Sequence, residues 1–212
     1  MSTAITTYRA SHPAGILLVL AHGAGAGQAH PFMRMVAKGL ATRSIDVATF
    51  DFPYMAAGRR APDRMPALLK AFRHAVDAAR SRKAWAGHRL VVGGKSMGGR
   101  VATHLATETV EALGGVVTLG YPLHPPGQPD KPRTAHLREM RVPWLVVQGE
   151  RDTFGTPTEL RPVLKPLRDV TLHVVRDGDH SLQVRKSSGQ DQDAVHAETL
   201  ETVAVWMRTA TR

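Results

Sequence analysis

The sequence predicts a doubly wound α/β fold built around a mostly parallel sheet. Six short apolar runs alternate with stretches of helical hydrophobic spacing, and a G-x-S-x-G motif joins one run to the stretch that follows it. Short runs of apolar and β-branched residues are typical of strands covered on both faces, as in parallel sheets. The predicted strands comprise residues 16–21, 47–50, 90–92, 116–119, 144–147 and 170–175.

Four stripes of apolar residues at helical spacing separate or follow these runs. The first two begin after Pro31 and Pro66, and the first turn is where a helix tolerates proline. Strand and helix in alternation, over 212 residues, predict a single domain spanning residues 1–212. The stripes are Phe32, Met35, Val36 and Leu40; Leu68, Leu69, Phe72, Val76 and Ala79; Met97, Val101 and Leu105; and Val195, Leu200, Val203 and Trp206.

The composition excludes several classes of chemistry. The chain has no cysteine, so disulfides, zinc-thiolate sites, iron-sulfur clusters and cysteine nucleophiles are all ruled out. Covalent catalysis would have to use serine, threonine, lysine or a carboxylate. No H-E-x-x-H motif is present, and we expect neither a metal ion nor a cofactor.

The charge is basic but dispersed. Lys and Arg number 28 against 18 Asp and Glu, and aromatic residues make up only 5% of the chain, too few for a base-stacking surface, so we do not expect nucleic-acid binding. No apolar run reaches the roughly 20 residues that span a bilayer. Residues 1–10 lack the basic start and apolar core of a signal peptide. We expect a cytoplasmic protein that does not enter a membrane.

The motif at residues 94–98 indicates a nucleophilic serine. Gly94-Lys-Ser96-Met-Gly98 matches G-x-S-x-G, directly after the run 90–92 and directly before the third helical stripe. This motif forms a sharp strand-to-helix turn, which exposes the serine hydroxyl at the carboxyl end of the sheet. The alternative is a glycine-rich turn with an incidental serine.

A second small-residue segment, His22-Gly-Ala-Gly-Ala-Gly27, follows the run 16–21. We interpret it as half of an oxyanion hole, in which backbone N–H groups stabilise the negative charge of an acyl-transfer intermediate. The expected donors are the N–H groups of Ala24 and of Met97, the residue after the nucleophile. The alternative is a loop whose small residues only permit close packing.

Spacing argues against phosphate-binding interpretations of these glycines. A phosphate loop that ends at Ser96 would need glycine at position 89, which is Arg89. A G-x-G-x-x-G fingerprint that starts at Gly23 or Gly25 would need glycine where Gln28 or His30 stands.

The acid and the base are expected after later strands. Asp152 lies just past the run 144–147 and His180 just past the run 170–175. Parallel strands deliver their carboxyl ends to one edge of a sheet, so both side chains would lie beside Ser96, in the chain order Ser, Asp, His.

Other residues compete for both roles. Glu150 is nearer the strand end than Asp152, and Asp179 adjoins His180, although sequence neighbours rarely face each other well enough for the orienting hydrogen bond. Histidines that precede Ser96 or lie within a predicted strand fit the base role less well. The other candidate bases are His22, His30, His124 and His173.

Several segments together resemble a known family. The similarity extends from about residue 15 to the end and is to the bacterial α/β-hydrolases grouped with the testis-expressed hydrolase-like protein and the third non-specific-lethal complex subunit. It implies an α/β-hydrolase fold with Ser96, Asp152 and His180 as the triad. The similarity to dienelactone hydrolases is weaker, because those enzymes use a cysteine nucleophile. The segments are His22-Gly-Ala-Gly-Ala, Asp51-Phe-Pro-Tyr-Met, Gly93-Gly-Lys-Ser-Met-Gly-Gly-Arg100, Gly120-Tyr-Pro-Leu-His-Pro-Pro-Gly127, Gln148-Gly-Glu-Arg-Asp152 and Asp177-Gly-Asp-His180.

Two connections are expected to wall an open site. Residues 120–141 replace the helical cap of many such hydrolases and are rich in proline, which predicts an extended segment and no cap domain. Residues 51–65 would form the other wall. The cations of these walls suggest an anionic substrate, or else only a solvated basic face; they are Arg59, Arg60, Arg64, Lys131 and Arg133. The residues expected to contact substrate are His22, Gly23, Lys95, Tyr121 and His124.

These features predict a serine hydrolase that cleaves a small carboxylic ester or thioester through an acyl-enzyme. Two alternatives stay open at this point. Because fold does not fix function, the chain could be a non-catalytic binding or assembly protein with a protein partner. An acyltransferase would use the same triad.

Overall fold

A computed structural model describes residues 4–108 and 113–210, so residues 1–3, 109–112 and 211–212 of the predicted domain lie outside the described residues. Within the described part, seven strands form one sheet in the order β1-β3-β2-β4-β5-β6-β7. The strands are β1 Ile5–Tyr8, β2 Ile16–Ala21, β3 Asp46–Phe50, β4 Arg89–Lys95, β5 Gly115–Leu119, β6 Trp144–Gly149 and β7 Val170–Val175.

The mostly parallel sheet is confirmed. All six predicted runs are strands, and every neighbouring pair among them is parallel. The strand that the sequence did not predict, β1, pairs antiparallel with β3 at the edge. Antiparallel edge strands are common on otherwise parallel sheets.

The helices cover both faces of the sheet, as a doubly wound fold requires. Helices α1 and α6 pack on one face, while α3, α4 and α5 pack on the other. Side chains of β2 alternate between these two cores, since successive residues of a strand point to opposite faces. The helices are α1 Pro31–Ala41, α2 Pro53–Ala56, α3 Met65–Arg80, α4 Met97–Glu108, α5 Pro157–Leu164 and α6 Gln192–Ala210.

The four predicted stripes fall on α1, α3, α4 and α6. None of the helices in the described ranges is both long enough and apolar enough to cross a membrane.

The segment 120–141 carries no cap domain, as predicted, but it is not wholly extended. It contains a short 3-10 helix, Ala135–Glu139. Leu137 on this helix is buried against the core under α4, and the anchoring of one apolar side chain explains the local turn. The expectation of a fully extended segment is wrong at this point.

The order of the strands determines where a site can form. Strand β2 has β3 on one side and β4 on the other, so the chain leaves β2 in one direction and later returns on the opposite side. The loops that follow β2 and β4 therefore diverge and leave a crevice at their carboxyl ends. Ligands of open α/β sheets bind at such switch points.

A close backbone crossing fixes α4 against β2. A Cβ atom on Gly98 would lie 2.5 Å from the carbonyl oxygens of Ala21 and His22. We expect Gly98→Ala to lower the free energy of unfolding by about 1–3 kcal/mol, since the backbone must move apart. The midpoint of urea unfolding measures the change.

Gly25→Ala is the matched control, because a Cβ at Gly25 meets no atom within 4 Å. Equal midpoints for the two variants would contradict the proposed tight crossing.

Candidate active site

Ser96 lies at the junction of β4 and α4, in a strained turn. Its φ angle is +50°, in the left-handed region that residues other than glycine seldom adopt. The turn is held by the Ser96 N–H, which donates to the Leu119 carbonyl at 3.0 Å, and by the Arg100 N–H, which donates to the Ser96 carbonyl at 3.0 Å. This geometry presents the Ser96 hydroxyl at the carboxyl end of the sheet, as in a nucleophile elbow.

The structure brings Ser96, His180 and Asp152 together in one chain of hydrogen bonds. The Oγ of Ser96 lies 2.8 Å from Nε2 of His180. The Nδ1 of His180 lies 2.9 Å and 2.8 Å from the two carboxylate oxygens of Asp152. In this arrangement the imidazole can accept the serine proton while the carboxylate holds the other ring nitrogen.

Asp152 is fully buried, and its carboxylate is held by several donors. Besides His180, it accepts the Phe154 N–H at 2.8 Å and the Nε2 of Gln148 at 2.8 Å. Buried Gln148 also donates to the Gly155 carbonyl at 2.7 Å. Donors of this kind satisfy the oxygen atoms of a buried carboxylate and fix its orientation.

The other two candidate acids, Glu150 and Asp179, bind backbone N–H groups of the surrounding loops. Glu150 accepts the main-chain N–H of Asp177 at 2.7 Å. Asp179 accepts the N–H groups of Ser181 at 2.7 Å and Gln183 at 2.9 Å, which closes the turn that carries His180. Both carboxylates therefore organise backbone next to the site.

Two further contacts fix the position of His180. The ring of Phe154 stacks on the imidazole, with the ring centres 4.1 Å apart. The Nζ of Lys95 donates to the main-chain carbonyl of His180. Burial lowers the pKa of Lys95 to about 8, although Asp152 and Asp179 act in the opposite direction. Lys95 thus carries a titratable charge beside the Ser96 and His180 pair.

The loop after β2 is held from beneath by His22. The Nδ1 of His22 donates to the Gly23 carbonyl at 2.7 Å, and its Nε2 accepts the Phe52 N–H at 3.0 Å. Burial lowers the pKa of His22, which favours the neutral ring that this pair of bonds requires. Because C=O and N–H point in opposite directions across a trans peptide, the Ala24 N–H points away from His22.

The two residues expected to supply the oxyanion donors, Ala24 and Met97, belong to segments that meet at Ser96. Ala24 lines the same cavity as Ser96, and a Cβ on Gly23 would lie 3.7 Å from the Cβ of Ser96. Met97 is the first residue of α4, where backbone N–H groups have no acceptor within the helix. The hydroxyl of Tyr54 donates to the Ala24 carbonyl at 3.0 Å and further fixes this loop.

A cavity of about 720 Å³ opens directly above Ser96. Its wall is formed by the loop 23–26, the start of α1 with the residue His30 before it, and Phe154. The remaining part comes from the turn that carries His180, from Lys95 and from His196 on α6.

Only two of the five residues expected to contact substrate line the cavity. Gly23 and Lys95 line the cavity, whereas His22, Tyr121 and His124 do not. Fully buried Tyr121 donates its hydroxyl to the Arg133 carbonyl at 2.7 Å. The Nε2 of buried His124 lies 3.1 Å from a carboxylate oxygen of Glu159. Interior contacts occupy these side chains, and so they take no part in the cavity wall.

The two predicted walls, residues 51–65 and 120–141, do not line the cavity either. The cations on them therefore face other parts of the surface, and Arg59 pairs with Asp63 at 2.7 Å. Among the lining residues that the structure describes, Lys95 is the only Lys or Arg. The hypothesis that basic walls bind an anionic substrate loses its structural basis.

Over residues 4–108 and 113–210, no group of three or more His, Cys, Asp or Glu side chains is arranged to hold a metal ion. That neither a metal nor a cofactor takes part stays a prediction.

Sequence reasoning missed Gln148, Phe154 and Tyr54, which hold the acid, the base and the loop respectively. A signal existed for Gln148, a lone polar residue that directly follows the apolar run 144–147. Tyr54 lies in the segment 51–55 that carries the family resemblance, but nothing in the sequence indicated its hydrogen bond to the Ala24 carbonyl, and no pattern singled out Phe154.

Comparison with known proteins agrees with this architecture. The family model described as the alpha/beta hydrolase domain matches residues 14–208 of the chain.

Solved structures share the fold at low sequence identity. An alpha-beta serine hydrolase homologue from Coxiella burnetii is 15% identical with a TM-score of 0.75, over 94% of this chain and 89% of that one. A serine hydrolase without lid from Xanthomonas campestris is 17% identical with a TM-score of 0.71, over 97% and 95%. A dienelactone hydrolase from Anabaena variabilis is 17% identical with a TM-score of 0.71, over 97% and 96%.

The position of Lys95 predicts a pH dependence. The reaction of Ser96 with a fluorophosphonate builds negative charge beside the Lys95 ammonium, so we expect its rate to fall by about tenfold as the pH rises past 8. A tenfold change corresponds to ~1.4 kcal/mol of lost transition-state stabilisation. This decrease in rate forms the alkaline limb of the pH–rate profile, and it follows from the pKa of Lys95, about 8.

Lys95→Met should abolish this alkaline limb. Lys131→Met is the control, because Lys131 is exposed and does not line the cavity. An unchanged limb in Lys95→Met would show that another group titrates.

Proposed function

The chain belongs to the alpha/beta hydrolase domain family, and on that basis we propose that it is a serine hydrolase that cleaves a carboxylic ester or thioester. The observation that carries this proposal is the continuous hydrogen-bonded arrangement of Ser96, His180 and Asp152 at the floor of a cavity. A hydroxyl alone is a weak nucleophile and needs such a base and orienting acid.

In the first half-reaction, Ser96 Oγ attacks the carbonyl carbon of the ester while Nε2 of His180 accepts the hydroxyl proton. The Asp152 carboxylate stabilises the imidazolium that forms, through Nδ1. As the tetrahedral intermediate collapses, His180 gives the proton to the departing alkoxide or thiolate. The products of this half-reaction are the alcohol or thiol and an acyl ester on Ser96.

In the second half-reaction, His180 accepts a proton from water as the water oxygen attacks the acyl carbon. The intermediate collapses, Ser96 Oγ recovers the proton from His180, and the carboxylic acid leaves. In both half-reactions the N–H groups of Ala24 and Met97 would stabilise the oxyanion. Fixed donors of this kind need no reorganisation as the charge develops, and each contributes about 10²–10³ in rate.

Two features favour a catalytic role over a binding role on the same scaffold. The left-handed φ of Ser96 costs on the order of 1–3 kcal/mol, and this turn holds the hydroxyl within hydrogen-bond distance of the His180 imidazole, as catalysis requires. The Ser96 side chain also lines a cavity large enough for a small molecule. These features support a small-molecule ester as the binding partner.

We further propose that the chain groups with the bacterial α/β-hydrolases related to the testis-expressed hydrolase-like protein and the third non-specific-lethal complex subunit. The motifs quoted above, such as residues 93–100, support this narrower assignment.

Substitution of the proposed nucleophile tests the function. We expect Ser96→Ala to lower kcat for an activated ester by about 10⁴-fold or more, because the attacking oxygen is removed. The release of 4-nitrophenol from 4-nitrophenyl acetate measures the loss.

Ser187→Ala is the matched control, because Ser187 is exposed and does not line the cavity. It should retain near wild-type turnover. Turnover that survives in Ser96→Ala would refute the assignment of the nucleophile.

A further inference from the structure

The wall of the cavity above Ser96 is apolar on the side of α1. Pro31, Phe32, Met33 and Met35 come from this helix, and Ala24 and Ala26 come from the loop before it. Lys95 is engaged by the His180 carbonyl, and its ammonium lies 5.8 Å from the centre of the Phe32 ring. Apart from His30, whose Nδ1 accepts the Phe32 N–H, the α1 side therefore offers contact area for hydrocarbon and few groups that would bind a polar substituent.

The side of the cavity near His180 has a different character. Ser181 and Gln183 line it, and both residues are exposed. The leaving group of an ester must lie within reach of Nε2 of His180, which returns the proton to it. A hydrated alcohol or thiol suits this polar, open side. The acyl chain, on the other substituent of the carbonyl carbon, is then directed along α1.

The apolar region continues behind Phe32 and Met35. A second, very small cavity of about 10 Å³ shares Phe32, Met35 and His196 with the large one. Its other lining residues are Val36, Leu119, Leu182, Thr199, Leu200 and Val203, between α1 and α6. The shared side chains separate the two spaces, and Met35, which is flexible and only half-buried, forms part of this partition.

We infer that the substrate is an ester or thioester of an aliphatic acyl chain of medium length, and that Met35 limits the length of that chain. This inference rests on the proposed function. It adds the substrate class and a specificity-determining residue, Met35.

Two ester series test the inference on the full chain. The first varies the acyl group of 4-nitrophenyl esters from acetyl to dodecanoyl. The second keeps an acetyl group and lengthens the alkyl alcohol. In the first series kcat/KM should rise about fourfold per methylene, the fold-change that corresponds to ~0.8 kcal/mol per buried CH₂. The maximum should fall between butanoyl and decanoyl. In the second series kcat/KM should change little as the alcohol becomes longer.

Variants of Met35 test the length limit in both directions. Met35→Ala joins the two cavities and should move the maximum to chains longer by about two carbon atoms. Met35→Trp should move it to shorter chains. Arg34→Ala is the matched control, because Arg34 is exposed on the same helix and does not line the cavity. The far-ultraviolet circular dichroism spectrum and the midpoint of urea unfolding report whether each variant is folded.

The outcomes separate this inference from the proposed function. A protein that cleaves the acetyl ester fastest and longer chains progressively more slowly would overturn the inference alone. Dependence on the alcohol series in place of the acyl series would overturn it as well, and so would an unchanged maximum in both Met35 variants. If no ester of either series is cleaved and Ser96 resists fluorophosphonate, the proposed function and the inference both fail.

Discussion

The buried carboxylate of Asp152 is the group on which the arrangement of the site depends. An ionised carboxylate away from water must be satisfied by donors, and here these come from His180, Gln148 and the Phe154 backbone. Gln148 in turn accepts the Tyr121 N–H at 2.8 Å. One buried charge therefore ties together the segments that follow β5, β6 and β7, and it holds His180 where the Ser96 hydroxyl can reach it.

The fold could be predicted where the sequence repeats a strong local signal. Five largely buried strands, the half-buried edge strand β7 and four amphipathic helices each carry enough apolar residues to be recognised. Strand β1 was missed because Ile5–Tyr8 has four residues, none of them fully buried. Helix α5 begins with a capping box of Thr156 and Glu159, which the sequence displays, but Pro162 and its eight-residue length weaken the helical pattern.

The site could be predicted to the extent that topology alone brings residues together. Ser96, Asp152 and His180 follow parallel strands, whose carboxyl ends share one edge of the sheet. The cavity wall depends on how α1 packs above that edge, and this is a tertiary property. Phe32 and Met35 therefore carried only a helical signal in the sequence. Tyr121 and His124 lie in the segment 120–141 that was expected to wall the site, yet interior hydrogen bonds occupy their side chains.

The central claim is that this arrangement activates Ser96 as a nucleophile. The most direct test is to treat the folded protein with a fluorophosphonate, measure its intact mass by mass spectrometry and map the modified peptide. The account predicts one adduct, located on Ser96, and its formation should slow by about 10⁴-fold in Asp152→Asn, where the imidazole loses its orienting carboxylate. Failure of the folded protein to react, or an adduct on a different side chain, would contradict the account.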